Sequence, residues 1–537
     1  MPRRLHRAVV VAASLAAACQ GGRRGPPPER FVPRDASAVL VVPEAGRAAR
    51  ELADLHATVA GFPGAAELAG GRGTLAAQLG FDPLDAEALA DAGLDPRRGA
   101  AVATIEPKDA AARGSTSSAR PEAARSVLLV LPVGDAPKIE ALLVRLARDR
   151  LGATERSAET RGEVSVVVLR APGSPAPALA WAIVQHTAVL CAGAGGPAAV
   201  AAAAALAPDA SLADAAPWKA ARAALGPDAS AIQWVPRGSP LLARLWPFRD
   251  GVAVGLSAAA GRLTARAAML LGDREPSFRA LAADGAAAKL VSRLDPAAQL
   301  AARFDGDPAT LGKKLVPILP AAERARLAAK GVDVERDVFG ALAPGAAVSL
   351  SLSPRLDLAG LGVDALRADP LRAFEFEALL PVRDPAAAEA TSAKIAAAAR
   401  GKRADGAWRI RTPSGEIAWR VDADERRVAA AGGRAGRLDA LLARVEGGGW
   451  RAPTEAAGGA LAGGLGGAIL DPARLVAAVR ALPEEAFGTG PSGFVMRSLV
   501  DRLVDPVSRL AAVSFRADLA EGALVLALEI EARRGQP

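Results

Sequence analysis

The sequence predicts an α+β protein: two tandem homologous domains, each a curved antiparallel sheet covered by helices. Three observations carry that expectation. An Ala-Trp hairpin occurs twice, as Pro177–Trp181 running through Val189–Gly193 and again as Gly415–Trp419 running through Val428–Gly433. Further landmarks recur in the same order around both copies, the pattern expected of an internal repeat. The strands come as hairpins mixed with helices, without the strand-helix alternation of a doubly wound sheet.

In chain order, Phe31-Val32-Pro33-Arg34-Asp35 leads into a strand at 37–42 and a helix at 44–59 with apolar residues at three- and four-residue spacing. Its expected counterpart is Ala288–Val291, followed by Asp295-Pro296 and a helical 297–304. Gly80-Phe81-Asp82 and Gly99–Val102 match Gly331-Val332-Asp333 and Gly345–Val348. Leu131-Pro132-Val133-Gly134-Asp135 matches Leu380-Pro381-Val382-Arg383-Asp384. In both, a strand stops at the proline and an aspartate caps a helix carrying Pro137 or Pro385 in its first turn. After the Ala-Trp hairpins, 231–236 matches 468–472, and 251–271 and 510–531 each read as a closing hairpin. The expected units are 31–273 and 284–533, joined through 274–283, with a polar insertion at 109–124 in the first.

The N-terminus reads as an export signal. Arg3, Arg4 and Arg7 precede an apolar run from Ala8 to Leu15 and the small residues Ala16-Ala17-Ala18. Leu15-Ala16-Ala17-Ala18-Cys19 resembles the lipobox of bacterial lipoproteins, although Ala16 stands where Leu is preferred. The resemblance implies a signal peptide over 1–18, lipidation of Cys19 and a Pro/Gly-rich tether over 19–30. Acyl chains on Cys19 would hold the body at a membrane without a spanning helix. Gln20, rather than Asp, after the cysteine favours the outer membrane of the cell envelope. The Pro-x-Asp-Ala start at Pro33–Ala36 and the strand-Asp-helix step at 131–135 resemble a duplicated bacterial envelope-protein family of unknown function, which implies no catalytic residues.

Composition narrows the chemistry. The 537 residues contain 51% hydrophobic and 23% charged residues, a globular composition. Tyr and Asn are absent while Ala, Arg and Gly are heavily used, a bias that coding-DNA composition explains. The formal charge of +8 is spread among acids without a basic block, which argues against a nucleic-acid partner. Three His and two Cys are too few for the usual zinc or Ser-His and Cys-His sites. Cys191 reads as a small buried hydrophobe and His186 as a turn residue.

No metal, cofactor or catalytic residue is expected. Gly193–Ala198 fits G-x-G-x-x-A but follows an antiparallel hairpin, so it reads as a strand-to-helix turn. Gly306–Lys314 has the wrong spacing for a P-loop. Glu375 and Glu377 alternate with Phe374 and Phe376, which predicts a half-solvated strand with acids on one face; a carboxylate hydrolase is the enzymatic alternative. Trp181 and Trp419 are expected as core anchors, or alternatively as walls of an apolar groove for a ligand. Together these readings point to a non-enzymatic, membrane-anchored envelope lipoprotein that binds a lipid, polymer or protein. A structural spacer is the alternative.

Overall fold

In the computed structural model of the chain, Val39 and Val41 turn one way from the first strand and Val42 the other, and all three are buried. A strand apolar on both faces needs a layer on each side. The structure describes residues 25–59, 65–105, 126–237, 239, 250–259, 261–282, 287–358, 360, 362, 365 and 369–533. The leader, residues 19–24 of the tether including Cys19, and the insertion at 109–124 lie outside these.

The chain divides between Gly272 and Asp273 into two compact units; the short segment Ala520–Val525 groups with the first. Strands of unit 1 are β1 (Ala38–Val42), β2 (Ala100–Ile105), β3 (Ser126–Pro132), β4 (Glu155–Arg161), β5 (Val164–Arg170), β6 (Pro177–Val184), β7 (Thr187–Ala192), β8 (Ala231–Pro236), β9 (Gly251–Ala259) and β10 (Arg262–Leu270). They pair antiparallel in the order β4-β5-β6-β7-β3-β2-β1-β8-β9-β10. Helices Gly196–Ala204 and Ala216–Leu225 cover one face through Val200, Trp218 and Leu225. Helices Ala45–Val59, Ala65–Leu79 and Ala136–Leu151 cover the other through Ala49, Leu79, Ile139 and Leu143.

Unit 2 contains β11 (Leu300–Phe304), β12 (Ala346–Leu352), β13 (Phe374–Pro381), β14 (Lys402–Ala404), β15 (Ala407–Thr412), β16 (Gly415–Asp422), β17 (Arg427–Gly433), β18 (Gly466–Leu470) and, apart from the segment grouped with unit 1, β19 (Leu510–Ala520) and β20 (Ala523–Ala532). Their order is β14-β15-β16-β17-β13-β12-β11-β18-β19-β20, again antiparallel where the register is resolved. Position by position, this repeats the order of unit 1.

Local capping follows the chemistry expected of the sequence. Asp135 accepts from the Lys138 amide and Asp384 from those of Ala386 and Ala387, starting helices Ala136–Leu151 and Pro385–Ala398. His186 sits at φ 59° in the β6–β7 turn, a left-handed position that short turns impose. One expectation reverses: residues 287–291 form a helix, and Leu300–Phe304, expected helical, is β11. The Ala-rich run 297–304 has helical propensity, but pairing with β12 on one side and β18 on the other overrides it.

Candidate functional site

The residues most capable of chemistry come together on β13. Alternation places Glu375, Glu377 and Leu379 on one face of the strand. That face is not half-solvated as expected. Glu375 is 3% exposed and Glu377 is 0% exposed, while Phe374 is 43% exposed. The sequence pattern located the two faces correctly but not which of them points inward.

What makes burial of the acids tolerable is the helix Arg437–Ala443, which follows β17 and brings arginines over the same face. Arg437 Nη1 donates to Glu375 Oε2 at 2.7 Å, and its Nη2 donates to Asp295 Oδ2 at 2.8 Å. Arg437 Nε lies 3.6 Å from Glu377 Oε1, an ion pair without a hydrogen bond. Just beyond the helix, Arg444 grips Glu377 with both guanidinium nitrogens, Nη1 to Oε2 at 2.6 Å and Nη2 to Oε1 at 3.0 Å. The Asp295 amide also donates to Glu377 Oε2, at 2.7 Å. Arg434, the most exposed of the three arginines, reaches Glu375 Oε1 through its amide and its Nε, both at 3.2 Å. Asp295, Glu375 and Glu377 thus face Arg434, Arg437 and Arg444, and the charges balance.

The glycines preceding the helix are structural parts of this cluster. Gly433 holds φ 134°, and a Cβ there would stand 2.7 Å from Glu375 Cγ. At Gly432 a Cβ would collide with the Phe376 ring on the opposite face. The Gly-Gly pair, legible in the sequence only as a strand-to-helix break, lets the backbone pass directly beside both side chains of β13.

A cavity of about 190 Å³ opens beside the cluster. Asp295, Glu375, Arg434, Arg437, Ser351 and Gln299 supply its polar wall, and Ala478, Ala481 and Leu482 its apolar wall. Chemically, the arrangement is an acceptor set already filled. A general acid or base needs a proton free to move, whereas each carboxylate here is occupied by guanidinium or backbone donors.

Unit 1 differs at the matched position. Counting from the matched strand ends Pro132 and Pro381, Leu128 stands where Glu377 stands. Leu128 lies between Ala103 and Cys191; Glu377 lies between Ser349 and Ala431. Leu128 is fully buried in an apolar core. At this position, unit 1 is apolar where unit 2 is charged.

The other sequence-predicted positions resolve as follows. Trp181 is 0% exposed and packs with Leu131, Ile139 and Leu169, so it cannot wall a groove and serves as a core anchor. Trp419 is 8% exposed and faces Trp408 across the β15–β16 pair. Neither lines the cavity beside the cluster. Cys191 is buried, and burial pushes its thiol above the ordinary range, as in an inert cysteine. Apart from those positions, Asp422 at the end of β16 and Glu425 in the turn that follows both pair with Arg427. Sequence reading missed the arginines altogether. Their only signal was the recurrence of arginine at 434, 437 and 444 after the glycine break, and of these only Arg437 lies within the helix.

No family model matches the chain, and no curated protein matches it. Among solved structures, crystal forms III, IV and I of TP0453 align at 9%, 9% and 8% identity, with TM-scores of 0.24, 0.23 and 0.24. The alignments span 46%, 47% and 47% of this chain and 81%, 83% and 81% of that one. Similarity at that level is too low to transfer fold or function.

Proposed function

We propose that this chain is a non-enzymatic, lipid-anchored protein of the bacterial cell envelope, built from two duplicated α+β domains that engage a lipid, polymer or protein partner. The single observation that carries the non-enzymatic reading is the state of the best catalytic candidates. Glu375 and Glu377 are buried, charge-balanced and saturated with donors, which suits a structural cluster and not an acid/base pair. The common strand order of the two units supports descent from one duplicated domain. Anchoring through Cys19 rests on the leader sequence.

A structural spacer without a small ligand is the second reading. Burial of Trp181 favours it, because that side chain leaves no wall for an apolar groove.

The test is fractionation of the chain expressed with its own leader in a Gram-negative host. The expected result is a membrane-bound protein whose Cys19 peptide carries acyl chains by mass, with Cys19→Ala released to the soluble fraction. A chain that stays soluble with Cys19 intact refutes anchoring. Native mass spectrometry of the gently released protein then separates the two readings: a co-purifying lipid supports a binding role, and a bare protein mass supports the spacer.

A further inference from the structure

The cavity beside the ion cluster keeps unspent polar capacity of one kind only. Its acceptors are taken. Glu375 receives Arg437 and Arg434, and Asp295 receives Arg437 Nη2 and, at 2.9 Å, the Ala297 amide. Gln299 accepts the Leu352 amide at 2.6 Å through Oε1 and donates to the Ala297 carbonyl at 3.2 Å through Nε2. Donors remain. Ser351 and Ser353, 8% and 3% exposed, line the cavity. Each hydroxyl accepts one hydrogen bond, from Arg437 Nη2 at 3.4 Å and from the Arg355 amide at 3.3 Å. Neither donates one to any of the described residues. Arg434, whose side chain is 65% exposed, spends Nε on Glu375, reaches it with Nη2 only at 3.5 Å, and leaves Nη1 without a partner among the described residues. A buried hydroxyl with an unspent proton costs free energy until something accepts it.

We propose that this cavity of unit 2 binds a small aliphatic monocarboxylate, its carboxylate on Arg434, Ser351 and Ser353 and its chain against Ala478, Ala481 and Leu482. A wall that offers donors alone selects a ligand that brings acceptors, and a carboxylate brings two oxygens that match the fork of a guanidinium. The charge count limits the ligand to one negative charge. Asp295 and Glu375 border the site and are balanced by Arg437 and Arg434, so a doubly charged phosphate would meet net repulsion. The opposite wall is apolar, at the end of the helix Pro472–Arg480, and suits a hydrocarbon chain. Size sets its length. A cavity of about 150 Å³ takes benzene, so about 190 Å³ accommodates roughly seven or eight non-hydrogen atoms, a carboxylic acid of five or six carbons. The proposal goes beyond the reading above, which names no ligand for unit 2, and holds whether or not Cys19 is acylated.

The test is saturation-transfer NMR on the full chain carrying Cys19→Ser, with valerate as the probe and valeramide and pentylamine as its neutral and cationic counterparts. Valerate should bind saturably, with a dissociation constant in the millimolar range or tighter for about seven non-hydrogen atoms. Valeramide should bind about tenfold more weakly and pentylamine more weakly still. Arg434→Met should weaken valerate about tenfold or more while leaving valeramide nearly unchanged. Ala478→Leu, which fills the apolar wall, should abolish binding of both, with circular dichroism showing an intact fold in each variant. No saturable valerate signal at tens of millimolar overturns the proposal. Pentylamine binding at least as tightly as valerate also overturns it, because the free capacity would then be acceptors. So does valerate binding that survives Ala478→Leu unchanged, which places the ligand elsewhere; this outcome is readable even if Arg434→Met fails to fold. None of these results bears on the Cys19 fractionation.

Discussion

Glu377→Leu places in unit 2 the residue that unit 1 carries at the matched position, and its cost follows from what Glu377 holds. The substitution removes the bidentate partner of Arg444 and the acceptor of the Asp295 amide. The Arg444 side chain is 18% exposed, so part of its stranded charge is rehydrated. Losing one partner of a buried pair ordinarily costs about 3–5 kcal/mol, and partial exposure of Arg444 puts the expected loss near the lower end, ~3 kcal/mol. Adding Arg444→Met removes the stranded charge and leaves chiefly the Asp295 amide unpaired, a residual cost of about 1–2 kcal/mol. The double variant should therefore recover about half of the single loss. Native-state hydrogen exchange across β13 and the helix Arg437–Ala443 measures this locally, without assuming that a two-unit chain unfolds in one step. Unchanged protection in Glu377→Leu, or a double variant no better protected than the single, refutes the view that the pair is a mutually dependent buried ion pair.

Three further outcomes follow from local geometry elsewhere in the chain. Hydrogen bonding from Arg336, reinforced by the Asp333 amide and by Lys394, holds the Asp337 carboxyl well below its ordinary value of 3.8. Because folding lowers this pKa, the stability it supplies is complete above the unfolded value and is lost as pH falls through and below it. The melting-temperature advantage of the native protein over Asp337→Asn should accordingly be full at pH 6 and shrink towards pH 3; a pH-independent difference would contradict the assignment. Gly433→Ala should destabilise unit 2 by about 2 kcal/mol or more, from left-handed strain and from the clash with Glu375, read as faster exchange in the helix Arg437–Ala443. Cys191 should resist a thiol reagent in the folded protein and react stoichiometrically in urea, with Cys191→Ala supplying the background; rapid labelling of the folded chain would show the thiol to be accessible.

The antiparallel α+β character, the Asp135 and Asp384 caps and the His186 turn are consequences of local chemistry, and the sequence determined them alone. Alternation along Phe374–Glu377 was equally local, so the separation of acids from rings could be read directly. Which face became interior could not, because it depends on a helix contributed by residues some sixty positions later. The same limit explains residues 297–304, where an Ala-rich run became β11 through its neighbours on both sides. It also explains Trp181, whose strand announced an anchor while its burial depended on the helices packed over it. Local sequence encodes periodicity, caps and turns because these are settled within one or two turns of chain. Whether a charge is buried and paired or left in water is settled by segments distant in sequence, and only the tertiary structure could decide it.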